Sequence, residues 1–393
     1  MNTKITYTKK IISFIIISLV FINVIDAQIR VIDVKNGQID SEVQGVFYSL
    51  PQTYLTFDVN FDVTIQKRGP YYQFANKYLG INNVIFADAE NYEIGEIFVS
   101  SFSRPDPEQF YFVEYSERTK KDELSVLLTL SESGFIVGVN EMMEIEKIES
   151  KIIEQTDNKE FSEQLFRYFA EDNLYKKIDT IIRKINIDTL TIEKEIYKYS
   201  MIEKTLEQKA KDAANFISRI RENRFQLISG YQEVNYGESI KYMDEQLQKL
   251  EAEYLKLFTG VSMQKSFKKS FTFLPKANDI GKSVPLFQLS KQKGIILEND
   301  RSSQNVNVII ENNEVTKGIL KFSESTLKAV NNAGGYYYRI PEYADIKLVY
   351  KNKIIFKSNK RINQFGVISR TPTFSSKIKF DENTGNVKKI FID

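Results

Sequence analysis

Along residues 56–66 the chain alternates strictly. Phe57, Val59, Phe61, Val63 and Ile65 fall on one side of an extended segment, and Asp58, Asn60, Asp62, Thr64 and Gln66 on the other. A period of two predicts a strand with one buried face. "QFYFVEY" at 109–115 and "ELSVLLTL" at 123–130 are further strand candidates, and the continuous apolar run of the second suits burial on both faces. "SESGFIVGVN" at 131–140 places turn residues before another short strand. Between these, "RGPYYQFANKYLG" at 68–80 changes period: Tyr71, Phe74, Ala75, Tyr78 and Leu79 recur at helical spacing. Pro70 suits the first helical position and Gly80 the left-handed residue past the last turn. The rings then form an apolar stripe for core packing, with Tyr72 pointing elsewhere; a stacking surface for a ligand is the competing reading.

From about residue 145 the chain becomes rich in Glu, Lys and Leu. "KIDTIIRKINIDTLTIEKEIYKY" at 177–199 is ambiguous, since its β-branched residues favour an extended form and its charges permit helix. Two clearer helices follow. Residues 205–230 place Ala210, Ala213, Ala214, Ile217, Ile220, Leu227 and Ile228 on a packing side and stop at Gly230. Residues 237–260 bring Ile240, Met243, Leu247, Leu250, Tyr254 and Leu257 onto one stripe closed by Gly260. The short connection predicts an antiparallel helical hairpin, with a dimeric coiled coil as the alternative.

Beyond about 263 strands and turns return. "DIKLVYKNKIIFKS" at 345–358 reads as a hairpin around Lys351 and Asn352, and "KFDENTGNVKKIFI" at 379–392 as two strands around a turn at Gly385. "YSLPQTYL" at 48–55 and "YRIPEYADI" at 338–346 echo one another. The expected fold is α+β, with two mainly antiparallel β regions separated by a central helical hairpin. Its divisions are a signal peptide at 1–27, an N-terminal β-rich domain at 28–144 with a short helix at 70–79, a central segment at 145–262, and a C-terminal β-rich domain at 263–393.

The signal reading rests on basic Lys4, Lys9 and Lys10, the apolar run Ile11 to Ile25, and small Ala27 before the cut. That run falls short of the ~20 residues of a spanning helix, so cleavage is expected over an uncleaved anchor. The chain has 54 basic and 52 acidic residues; removing Lys4, Lys9, Lys10 and Asp26 leaves a neutral mature protein. Nucleic acid, which calls for a basic excess, is therefore not an expected partner. Composition also removes chemistry. With no His, Cys or Trp among 393 residues, Ser-His-Asp triads, Cys-His dyads, structural zinc sites and disulfides are excluded. No cofactor and no metal site is expected.

Eight segments together resemble the bacterial domain-of-unknown-function family 4831, found in envelope proteins of Bacteroidota. They are "VFYSLPQTYLTFDV", "GPYYQFANKYLG", "EQFYFVEY", "AKDAANFISRIRENRFQLISG", "LEAEYLKLFTG", "YYYRIP", "NQFGV" and "FDENTGNVKKI", in chain order. The resemblance covers nearly all of the mature chain. It implies an exported protein, periplasmic or associated with the outer membrane, and transfers no residue role.

Other motifs are fragments. "DIGKSVP" ends like a phosphate-binding loop, but the position five before Gly281 is Lys276 rather than Gly. Asp58 and Asp62 share a strand face at ~13 Å, which suits a solvated face better than a catalytic acid pair. "DENTG" at 381–385 lacks the rest of a calcium loop and reads as a turn. Exposed tyrosine beside polar groups suits glycan or peptide contact. Two Tyr-rich places offer it: "SRPDPEQFYFVEY", with Tyr111 and Tyr115, and "GGYYYRIPEY", with Tyr336 and Tyr337. The leading functional expectation is a non-enzymatic structural or interaction protein of the cell envelope, with another envelope protein or a glycan as partner. A glycan- or peptidoglycan-binding module using those tyrosines is the alternative, and a carboxylate-only hydrolase the third.

Overall fold

The computed structural model describes residues 30–35, 44–114, 128–132, 134–140, 165–168, 173–187, 190–229, 237, 239–296, 301–319, 335–371 and 377–391. The signal segment and Tyr115 lie outside them. The chain is rich in strands that pair antiparallel. A first sheet runs in the order β1 (Arg30–Asp33), β3 (Ala89–Glu114), β2 (Gly45–Lys67) and β8 (Val261–Phe273). A second runs β10 (Gly294–Ile296), β9 (Ser283–Ser290), β11 (Gln304–Asn312), β12 (Tyr337–Tyr350) and β13 (Lys353–Arg370). A third holds β15 (Val387–Phe391), β14 (Lys377–Phe380), β5 (Ile136–Val139) and β4 (Leu128–Leu130). The remaining pair, β6 (Leu174–Ile187) and β7 (Leu190–Glu203), forms a two-stranded ribbon.

The period-two segment of β2 does what its pattern dictates. Leu55, Phe57, Val59 and Phe61 are buried against Phe287, Leu289, Val306, Val308, Ile310, Ala344, Ile346 and Leu348 of the second sheet. Phe61 is flanked by Phe267 at 5.3 Å, Phe287 at 5.7 Å and Phe271 at 6.5 Å, so aromatic packing seals the middle of the sandwich. On the opposite face Asp58 accepts from Ser270 Oγ and pairs with Lys268, and Asp62 accepts from Ser266 Oγ. Both acids belong to a polar outer surface shared with β8.

The strand pairings cross the boundaries expected at 144/145 and 262/263. Strand β8 completes the sheet of β2, and β14 pairs with β5 across more than half the chain. The two β regions are distinct in sequence and share sheets in space. The echo between 48–55 and 338–346 has a structural counterpart: the β2–β3 register shifts between Ser49 and Pro51, and the β12–β13 register between Ile340 and Glu342, on either side of Pro341. Proline donates no ladder hydrogen bond, and a bulge is where a paired strand tolerates it.

The helices gather on the aromatic stretch at 68–80. After a 3₁₀ turn at Tyr72–Phe74, α1 (Ala75–Leu79) ends at Gly80, whose φ of 68° is the expected left-handed cap. Helix α2 (Leu206–Ser229) starts with a capping box: Thr205 Oγ1 accepts from Gln208 N, and Gln208 Oε1 from Thr205 N. Helix α3 (Ser239–Thr259) lies against it, joined by Arg224 to Asp244 and by Arg221 and Arg224 to Glu251. Tyr71, Ala75, Ala210, Ala213, Ala214, Ile217, Tyr254, Leu257 and Phe258 form the shared core. Tyr72 turns away and meets the exposed Phe86 edge-on. One expected member of the α2 packing side, Ile228, is exposed, while its neighbour Leu227 in the same last turn is buried.

Candidate functional site

Among the described residues, Tyr111, Tyr336 and Tyr337 do come together in one cluster, with Tyr111 and Tyr336 buried and Tyr337 half-buried. Tyr111 stacks on Tyr337 at 4.4 Å and on Tyr48 at 5.4 Å, and the Arg370 guanidinium lies 4.2 Å from the Tyr337 ring and bonds its hydroxyl. Tyr111 exposes 3% of its surface and Tyr336 none. Burial pushes the Tyr111 phenol up to about 12 and that of Tyr48 well above its ordinary value, so both remain neutral at any physiological pH. The expectation of an exposed ring at Tyr111 is thereby corrected. Strand β3 is flanked here by β1 and β2, and Tyr111, Phe112 and Val113 are all buried, so both of its faces are covered and alternation no longer sorts inside from outside. Phe47 and Phe110 are the exposed rings nearby.

A concave site lies instead where the three sheets meet. Its volume is about 390 Å³, and it is lined by Thr53, Ser101 and Ser103 of the first sheet, Lys360 and Arg361 of the second, and Asp381 and Asn386 of the β14–β15 turn, among others. The local sequence explains its polarity. On the inward register of β2 and β3, the apolar run ends at Leu55 and continues as Thr53, paired with Ser103. Those hydroxyls join the sheets: Thr53 Oγ1 accepts from Asn363 N, Ser103 Oγ from Asn363 Nδ2, and both Ser103 Oγ and Asn363 Nδ2 donate to Thr384 O. The Gln364 side chain imitates a neighbouring strand, accepting from Thr53 N and donating to Thr53 O, each at 2.9 Å.

Asp381 is the one carboxylate among the described residues lining this cleft. Its Oδ1 accepts from Asn383 N, Thr384 N and Thr384 Oγ1, and its Oδ2 pairs with Lys388 at 2.8 Å. Burial pushes its carboxyl up, but the bonds from Lys388 and Thr384 outweigh that and hold it below the usual carboxylate range. An ionised acid committed to its own turn is neither a proton donor nor one half of an acid pair. The walls offer hydroxyls, amides, the Phe102 and Tyr343 rings, and cations from Lys360 and Arg361. Asn386 Oδ1 and Asn363 Oδ1 are buried acceptors with no hydrogen-bond partner. That equipment suits binding a polyhydroxylated or anionic ligand. Among the described residues no three His, Cys, Asp or Glu side chains are placed to hold a metal ion, and no helix is long and apolar enough to cross a membrane.

The ribbon is a second candidate surface. The described residues of the ambiguous segment at 177–199 are extended, as its β-branched residues favour. Ile181 opposes Ile196 and Ile185 opposes Ile192 on one face, and Ile178 opposes Tyr199 on the other. All six are exposed, as are Leu174, Ile182, Tyr197 and Met201. Neither β6 nor β7 has a second strand partner among the described residues.

A family model described as Domain of unknown function (DUF4831) matches residues 44–388. No curated protein and no solved structure matches the chain.

Proposed function

The chain belongs to the DUF4831 family, and from that premise we propose that it is a non-enzymatic interaction protein of the cell envelope. The β6–β7 ribbon carries this reading. It displays ten large apolar side chains to solvent on a two-stranded element that no further strand joins among the described residues. Apolar patches of that kind on soluble proteins mark interaction surfaces. Export through the segment at 1–27 is part of the proposal, supported by its basic, apolar and small-residue order. The test uses full-length protein and a form in which a short Gly-Ser linker replaces Leu174–Glu203. The intact chain is expected to fractionate with the envelope and to retain a saturable set of envelope components that the shortened form loses. Equal retention by both forms, or a cytosolic location, overturns it.

A second reading, glycan binding, draws on the cleft rather than on the buried tyrosines. The Ser101 hydroxyl and the Lys360 ammonium beside the Phe102 ring match the alternating polar and apolar surfaces of a sugar. Peptidoglycan sedimentation and glycan arrays test it. Binding that survives both Phe102→Ala and Lys360→Ala removes the cleft from consideration.

A further inference from the structure

Ribbons of two strands are marginal in water unless something covers them. Among the described residues no further strand pairs with either edge of this one, and both faces carry exposed isoleucine and tyrosine. Natural proteins usually blunt such edges, because they template pairing with another chain. Charge on the two strands is unequal. Lys176, Lys177, Arg183 and Lys184 against Asp179 give β6 a net +3, whereas Glu193, Glu195 and Glu203 against Lys194 and Lys198 give β7 a net −1.

From these observations we infer that the ribbon is covered by the ribbon of a second copy of this chain, with the β7 edge of one copy adding antiparallel to the β6 edge of the next. The inference rests on the interaction reading above and names the partner. Three features carry it. Antiparallel addition of β6 to a neighbour's β7 continues the pattern already present within the ribbon, where the same two sequences pair from Leu174↔Glu203 to Ile187↔Leu190. Their opposite net charges favour that pairing, while β6 against β6 would set +3 against +3. The apolar side chains of successive copies would also fall side by side on each face, removing their flanks from water. A β6-to-β7 contact uses different surfaces on the two partners, so it is heterologous and builds rings or open arrays rather than stopping at a pair.

Sedimentation velocity of the full chain lacking residues 1–27, over a range of concentrations and salt, tests the inference. Association beyond a dimer that weakens as salt rises is expected. Glu193→Lys with Glu195→Lys makes both strands basic, and Lys176→Glu with Lys184→Glu makes both acidic. Each pair of changes is expected to raise the concentration for half-association at least about tenfold, and mixing the two proteins is expected to restore it. A monomer at every concentration, a limit at the dimer, insensitivity to salt, or association that persists in the linker form overturns the inference. Loss of envelope retention by the linker form of a chain that is always monomeric would sink self-pairing and leave the interaction reading standing. Envelope retention that the linker form keeps, together with association that it loses, would sink the envelope reading and leave self-pairing standing.

Discussion

Arg339 and Asp106 form a buried ion pair, Nη2 to Oδ2 at 2.6 Å, with both side chains less than one-tenth exposed. Arg339 Nη1 also donates to the carbonyl of Pro51 at 2.8 Å, and Asp106 Oδ1 accepts from Glu108 N. One guanidinium thus fastens β12 of the second sheet to both long strands of the first, at the prolines that interrupt their pairing. Removing either partner leaves a buried charge uncompensated. Arg339→Met or Asp106→Leu is expected to cost about 3–5 kcal/mol in urea unfolding, and the two combined to recover a large part of it. A double variant as unstable as the sum of the singles would show that the two side chains are not coupled.

Glu342 gives the fold an acid-sensitive point. Its buried carboxylate accepts from Val315 N, Thr316 N, Thr316 Oγ1 and Tyr343 N, at 2.6 to 3.0 Å. Burial pushes its pKa up, and the bonds led by Thr316 outweigh this and lower it net. With the folded value below the unfolded one, the stabilisation is complete above the unfolded carboxyl's titration and is lost as pH falls through the folded value. Thermal unfolding followed from neutral pH downward should therefore show a fall in melting temperature that is smaller in Glu342→Gln. That variant is also expected to be about 1–3 kcal/mol less stable at neutral pH, because an amide nitrogen must face a donor.

The β12–β13 turn holds two residues, Lys351 at φ 52° and Asn352 at φ 60°, between the paired Tyr350 and Lys353. Two positive angles describe the turn that favours Asn-Gly. Lys351→Asn with Asn352→Gly relieves a left-handed lysine and is expected to stabilise by about 1 kcal/mol. No rise in the denaturation midpoint would mean that the lysine is not strained.

Gly80 and Gly385 separate backbone strain from crowding. Both have φ near 65°, but a Cβ on Gly80 meets open space, whereas one on Gly385 would stand 2.6 Å from Pro51 Cγ. Gly80→Ala should cost about 1 kcal/mol, the left-handed penalty alone. Gly385→Ala should cost more, since the turn that closes the cleft must also shift away from β2; equal losses in the two variants would show that Pro51 yields freely.

Legibility of the sequence followed how local each feature is. The inward set Phe57 to Val63, the stripe from Tyr71 to Leu79 and the alanine face of α2 are set by periods within one element, and each was readable. The segment 177–199 was not, because "IIRKINI" satisfies β-branched preference and a charged helix alike. The neighbours of β8 and β14 were hidden because partner choice depends on segments far away in the chain. Tyr111 misled because its strand is covered on both faces. No motif announces the cleft, as its walls come from five separate segments. Its one sequence signal is polar Thr53, Ser101 and Ser103 on a register that is otherwise apolar.

The closure of β2 by β8 ties the order of synthesis to the order of folding. Lys67 pairs with Val261 and Leu55 with Phe273, so the first sheet keeps a vacant edge until the chain has been made past both long helices. Such distant pairings make for high contact order and slow acquisition of structure. A polypeptide still lacking β8 would meanwhile display the Phe57–Phe61 stripe, and holding chaperones would then govern its yield.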